Sequence, residues 1–258
     1  MTTVELACDD AGAGAPLLLL HAFPLSRAMF AAQVGGLADR ARVVAPDLRG
    51  FGESGLGAGE PSMDAMADDV AGLLDRLGID SAVVAGLSMG GYVAMAMLRH
   101  HPEKVSAVVL IDTKASADAP AARENRERVA AAVLELGPRA LRPMLDTLLG
   151  DSTRRRQAQV VEEVSGWLDA ARPDGVAWAQ RAMAARPDSF ATLAGAAVPG
   201  FVVVGEEDTL TTHDDALAMA DAFPTPAPVL VIPRAGHLSA VENPDAVTGA
   251  LRDVLRQL

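Results

Sequence analysis

The sequence predicts an α/β fold: a mostly parallel central sheet with helices on both faces and an inserted block of helices. Three observations carry that prediction. Short apolar runs alternate with stretches of helical periodicity along most of the chain. The runs at Pro16–Leu20, Val83–Leu87 and Val105–Ile111 are nearly continuous, as strands buried on both faces are. From about Lys114 to Gly195 such runs vanish. Charged residues and alanines dominate there, and Pro120, Pro138, Pro143, Pro173 and Pro187 punctuate the stretch.

Length and charge narrow the field. The 258 residues are enough for one large domain with a well-buried core. No Pro-, Gly- or Ser-rich linker, internal repeat or low-complexity tract divides them, apart from a general richness in alanine. A net charge of −12 repels phosphate backbones, so nucleic acid is not an expected partner. Arg154-Arg155-Arg156 is a short basic run and reads as a solvated helix face. Cys8 is the single cysteine, so an intrachain disulfide or a cysteine-rich metal site is not expected. The opening residues lack the basic and apolar regions of a signal peptide, and no apolar run spans a bilayer. The expected location is the cytoplasm, without a membrane partner; a homodimer is compatible with the composition.

In chain order, Thr3–Ala7 alternates weakly and reads as an edge strand, closed by a turn at Gly12 and Gly14. Pro16–Leu20 is a buried strand ending in His21-Ala22-Phe23-Pro24. A helix is expected over Arg27–Leu37 and a strand over Arg42–Ala45. The glycine-rich loop Asp47–Gly55 follows. Ser62 can cap a helix whose Met66, Val70, Leu73, Leu74 and Leu77 recur at helical spacing, and Gly78 ends it. After the insert, Phe201–Val204 is a strand, Asp214–Phe223 a helix and Val229–Ile232 the last strand. Asn243 and Pro244 form a cap and first helical position for a final helix bearing Val247, Leu251, Val254 and Leu255.

The segment Val83-Val84-Ala85-Gly86-Leu87-Ser88-Met89-Gly90-Gly91 reads as a strand, a tight turn and a helix, with Ser88 at the turn. Glycines flank the serine because side chains there would meet neighbouring backbone. Such a turn exposes Oγ and leaves the Met89 N–H free at a helix N-terminus, where it can stabilise negative charge. Gly-x-Ser-x-Gly alone arises by chance in roughly a tenth of chains this long, so its context decides. Three groups fall at strand C-termini in the order Ser88, Asp208, His237, the edge where parallel sheets hold their sites.

At this point the chain resembles the α/β-hydrolase family over nearly its whole length. The resemblance rests on His21-Ala22-Phe23-Pro24, Asp47 to Ser54, Gly86 to Gly91, Gly205-Glu206-Glu207-Asp208 and Gly236-His237. It implies a nucleophile-elbow fold with an eight-stranded sheet or a close variant. A core of residues 1–113 and 196–258 would carry a helical cap of residues 114–195. Ser88 matches the nucleophile, His237 the base and Asp208 the orienting acid, with Asp112 next in line for the acid. Phe23 and Met89 N–H groups match the oxyanion hole. In the family that loop often reads His-Gly; Ala22 here would be strained by about a kcal/mol if the position needed positive φ. His21 reads as a brace for that loop, Glu242 as support behind His237, and His100, His101 and His213 as residues near helix ends.

The resemblance implies a serine hydrolase acting on an ester, lactone or thioester of a small to medium acyl group, without metal or organic cofactor. The elbow segment is most similar to small bacterial esterases, enol-lactonases and cofactor-free haloperoxidases. Perhydrolase or C–C bond hydrolase chemistry with the same residues, and a ligand receptor without turnover, are the rivals. Leu25, Trp167, Trp178 and Met183 are expected, with Met89, to line an apolar pocket. A lactonase acting on an acid would also place an arginine there.

Overall fold

A computed structural model describes residues 3–258. The apolar runs form one seven-stranded sheet: β1 (Cys8–Ala11), β2 (Pro16–Leu20), β3 (Arg42–Pro46), β4 (Ala82–Leu87), β5 (Val105–Ile111), β6 (Gly200–Gly205) and β7 (Val229–Ile232). Their order is β1-β3-β2-β4-β5-β6-β7. Every adjacent pair is parallel except β1 with β3. β4 is buried at each position, as its unbroken apolar run requires, whereas Val231 on edge strand β7 is 47% exposed.

The N-terminal strand differs from the expectation. The ladder runs over Cys8–Ala11, not Thr3–Ala7. Side chains take the donors of the earlier segment. Val4 N–H bonds the Asp69 carboxylate at 2.6 Å and Ala7 N–H bonds Ser54 Oγ at 3.0 Å. The sheet accordingly has seven strands, a variant of the eight the resemblance implied.

Helices follow the strands. α1 (Ala31–Leu37) continues a 3-10 turn at Arg27–Phe30, and α2 spans Met63–Arg76. Ser62 Oγ accepts from Asp64 N–H at the start of α2, and Gly78, at φ +65°, ends the segment. α3 (Met89–His100) follows β4 directly. Between β5 and β6 there are only helices and turns: α4 (Pro120–Leu136), α5 (Leu145–Leu148), α6 (Asp151–Arg156), α7 (Ala158–Ala170), α8 (Pro173–Ala185) and α9 (Phe190–Ala194). Pro120 and Pro173 open α4 and α8, where a missing N–H loses no bond. α4 packs along α8, and α9 returns to α3. α10 (His213–Ala222), α11 (Ser239–Glu242) and α12 (Pro244–Gln257) complete the chain. A Thr212–Asp215 capping box starts α10, and the Asn243 side chain accepts from Ala246 N–H at the start of α12. α1 packs on α12, while α2, α3, α9 and α10 form a second layer. Among the described residues no helix is long and apolar enough to cross a membrane.

Register decides what these elements present. β4 and β5 are aligned so that Leu87 lies beside Ile111, and Ile111 in turn lies beside Val203 of β6. The residues just after β4, β5 and β6 therefore share one sheet edge.

Candidate active site

Ser88 occupies the turn between β4 and α3 at φ 54°, ψ −111°, a left-handed conformation rare for a residue with a side chain. The surroundings hold it there. Its N–H bonds Ile111 C=O at 2.9 Å, and its own carbonyl accepts from Gly91 N–H and Thr113 Oγ1. Close backbone approach explains the glycines. A Cβ on Gly86 would stand 2.2 Å from Gly90 O, and one on Gly90 would stand 2.0 Å from Leu20 O.

The loops after β6 and β7 bring Asp208 and His237 to the same edge. His237 Nε2 is 2.8 Å from Ser88 Oγ, and His237 Nδ1 is 2.9 Å from Asp208 Oδ2. The carboxylate requires the proton on Nδ1, which leaves Nε2 to accept from the serine hydroxyl. Burial alone pulls the imidazole down, but the charge and hydrogen bond of Asp208 outweigh it, so His237 lies above its ordinary value. Asp208 is likewise opposed by burial, yet His237 and donors from Thr211 hold its carboxyl below the usual range. Thr211 was not among the sequence-derived site residues. Its Oγ1 donates to Asp208 Oδ2, while Leu210 and Thr211 N–H groups donate to Oδ1. The signal was an Asp followed three positions later by Thr in a loop, the local pattern of an Asx turn.

The other carboxylates around the site have different tasks. Asp112 sits beneath the site at φ 43° and accepts from Gly205 N–H at 2.8 Å and Ser239 N–H at 3.1 Å. Burial, and then the neighbouring Asp208 charge, push it up to about 8. The imidazole Nδ1 thus faces Asp208, not Asp112. Glu206 accepts from Arg234 N–H at the surface, and Glu207 accepts from Ser152 N–H at 2.7 Å. Glu242 is buried, and its carboxylate accepts three backbone N–H groups: Gly236 (2.9 Å), Leu238 (3.1 Å) and Gly150 (2.8 Å). It thereby ties both flanks of His237 to the segment before α6.

Across the site, the loop after β2 carries Phe23. His21 is fully buried, and burial brings it down to about 4. The neutral ring spans Ala22 O (2.9 Å from Nδ1) and Leu48 N–H (2.9 Å from Nε2), bracing the loop. Ala22 is not among the left-handed residues, so its methyl group is unstrained. Among the described residues neither Phe23 N–H nor Met89 N–H has a hydrogen-bond acceptor. The Asp47–Gly55 loop is tied internally: Asp47 accepts from Arg27 and Glu53 N–H groups, and Ser54 Oγ donates to Asp47 O.

A cavity of about 390 Å³ opens on Ser88 and His237. Phe23, Met144, Leu148, Met183 and Leu210 supply apolar wall, and Lys114, Asp118, Arg126 and Gln180 supply polar wall. Met183 therefore lies where the pocket was expected. Leu25, Met89, Trp167 and Trp178 do not; the Met89 side chain is fully buried. Leu25 and Trp167 border a separate 80 Å³ crevice, and Trp167 also borders a 620 Å³ groove between α7 and the α1–α11 side. Neither space contains Ser88, Asp208 or His237. Trp178 packs over the Arg49 guanidinium and donates Nε1–H to Gly59 O at 3.2 Å. Apolar residues at helical spacing in the insert served packing, which periodicity alone does not distinguish from pocket lining.

A family model described as alpha/beta hydrolase fold matches residues 15–244. The chain is 45% identical to a thermophilic esterase from Thermogutta terrifontis, solved with malate bound. The TM-score is 0.95, and the match covers 98% of this chain and 94% of that one. An enol-lactonase from Burkholderia xenovorans superposes with a TM-score of 0.90 at 27% identity, covering 98% and 97% of the two chains. In sequence, 3-oxoadipate enol-lactonase 2 of Acinetobacter baylyi is 28% identical over 93% of this chain and 88% of its own. A local match of 39% identity to the AB hydrolase superfamily protein YisY of Bacillus subtilis spans 44% of this chain and 43% of that protein.

Proposed function

The chain belongs to the α/β-hydrolase fold family, and from that premise we propose that it is a serine hydrolase cleaving a carboxylic ester, lactone or thioester of a small to medium acyl group. The observation that carries this reading is the continuous chain Ser88 Oγ–His237 Nε2 (2.8 Å) and His237 Nδ1–Asp208 Oδ2 (2.9 Å) at the mouth of a cavity. Ser88 attacks the substrate carbonyl while His237 Nε2 takes its proton. Asp208 keeps the imidazole in the right tautomer and stabilises the imidazolium. The carbonyl oxygen becomes negative in the tetrahedral intermediate and receives the free N–H groups of Phe23 and Met89, the latter at the N-terminus of α3. His237 returns the proton to the leaving oxygen or sulfur. It then activates a water that releases the acid from Ser88.

The raised pKa of His237 sets the pH dependence. Imidazolium cannot accept the serine proton, so activity rises with pH through a value above 6.5. In this reading the helices of residues 114–195 form a cap, since Lys114, Asp118, Arg126, Met144, Leu148, Gln180 and Met183 roof the Ser88 cavity.

Treatment with a fluorophosphonate, followed by intact mass and peptide mapping, tests the reading alongside p-nitrophenyl ester turnover. One adduct on Ser88 is expected, with both adduct and turnover lost in Ser88→Ala. Absence of an adduct in the wild-type protein would refute an activated serine.

A further inference from the structure

The polar side of the Ser88 cavity has an unbalanced charge. The whole chain carries −12, yet the charged side chains on this wall other than His237 are Lys114, Arg126 and Asp118. Asp118 is neutralised twice: it is buried, paired with Arg126, and 2.8 Å from Arg186 Nη1. Burial opposes its ionisation, but the two guanidinium groups outweigh this and keep the carboxyl below its ordinary range, so it is an anion throughout the neutral range. One carboxylate against two arginines leaves a positive surplus, and Lys114 adds to it.

Lys114 has no ion pair or hydrogen bond among the described residues, although it is half-buried in a chain with only one other lysine. That other lysine, Lys104, is paired with Asp75. Lys114 also stands two residues beyond Asp112 at the end of β5, next to Thr113, whose hydroxyl donates to Ser88 O. Arg126 uses Nε on Asp118 and Nη1 on Gln180, and Nη2 makes no bond among the described residues. A half-buried cation without a counter-charge is unfavourable unless an anion enters.

We propose that this wall is a carboxylate-binding subsite. The substrate then carries a free carboxylate in addition to the carbonyl attacked by Ser88, with Lys114 as its principal partner and Arg126 assisting. A half-ester or lactone of a short dicarboxylic acid fits both the charge and the 390 Å³ volume. The inference rests on the hydrolase reading only in taking this cavity as the acyl site.

The test uses the full chain. Glutarate and its neutral diamide, glutaramide, are titrated into Ser88→Ala by calorimetry, with and without a further Lys114→Met or Lys114→Arg change. Glutarate should bind and glutaramide should not. Lys114→Met should weaken glutarate binding about tenfold or more, as loss of a charge-assisted contact does, and Lys114→Arg should keep most of it. In otherwise wild-type protein, the kcat/KM ratio of the p-nitrophenyl half-ester of glutaric acid to p-nitrophenyl valerate should fall by a similar factor in Lys114→Met. Equal binding of glutarate and glutaramide, no binding of either, or a glutarate affinity indifferent to Lys114→Met would overturn the subsite. Fluorophosphonate labelling of Ser88 is read separately. An adduct without carboxylate discrimination removes the subsite and leaves the hydrolase. Lys114-dependent glutarate binding without an adduct supports the subsite and removes the hydrolase.

Discussion

Replacing Glu242 by Gln removes one charge and no volume, so its effect isolates what the carboxylate does. The acid accepts Gly236 and Leu238 N–H through one oxygen and Gly150 N–H through the other. A glutamine can keep the first pair through its carbonyl, but its NH₂ then faces the Gly150 N–H. A buried donor is left unpaired, at about 1–3 kcal/mol, and the two surviving bonds lose their charge assistance. The expected destabilisation is about 3 kcal/mol. For a chain of this size that is a fall in melting temperature of roughly 6–12 °C. Because the two weakened bonds flank His237 and the lost one tied them to Gly150, the imidazole should also wander from Ser88, and fluorophosphonate labelling should slow by about tenfold. Glu206→Gln is the internal control: its carboxylate accepts one N–H at the surface, so roughly 0.5 kcal/mol or less is expected. Thermal melts and labelling rates read both variants. A Glu242→Gln protein melting within a degree of wild type and labelling at the wild-type rate would refute the anchoring role.

Asp208→Asn should lower kcat by about 10⁴-fold while leaving the fold intact, as loss of tautomer control does in serine hydrolases generally; circular dichroism and ester kinetics check both parts. Asp112, pushed up to about 8 by burial and the Asp208 charge, is mostly uncharged over the acidic limb of the kcat/KM–pH profile, so Asp112→Asn should leave that limb nearly unmoved; a clear shift to lower pH would show that Asp112 is ionised there and raises His237. Gly90→Ala places a methyl carbon 2.0 Å from Leu20 O, a backbone atom that cannot move aside, so a loss above about 3 kcal/mol or insoluble protein is expected in expression and urea-melt assays. Trp178→Phe deletes the bond to Gly59 O and should reduce stability by about 1 kcal/mol without changing KM, because the ring lies outside the Ser88 cavity.

Much of this protein is legible from sequence because its signals are local. Continuous apolar runs marked β2, β4, β5 and β6, since a strand covered on both faces has no polar side to show. Ser62, Gly78, Asn243 and Pro244 marked helix ends because capping needs particular side chains at particular positions. The Gly-x-Ser-x-Gly turn was readable because its glycines answer a backbone approach within a few residues. The first strand was not, since its position depends on Asp69 and Ser54, far along the chain, claiming the N–H groups of Val4 and Ala7.

By itself the sequence determined the alternation of strands and helices, the all-helical stretch between β5 and β6 and the order Ser88, Asp208, His237. Each follows from periodicity, composition or residue type along the chain. Only the tertiary structure decided that His237 faces Asp208 and not Asp112, since both acids stand at neighbouring strand ends and a separation of a few ångströms chooses between them. It likewise decided that Trp167 and Trp178 pack outside the cavity while Lys114 and Arg126 line it. Which face of a helix meets a cavity is set by how separate elements pack, and contacts across the sheet edge leave no periodic trace in the sequence.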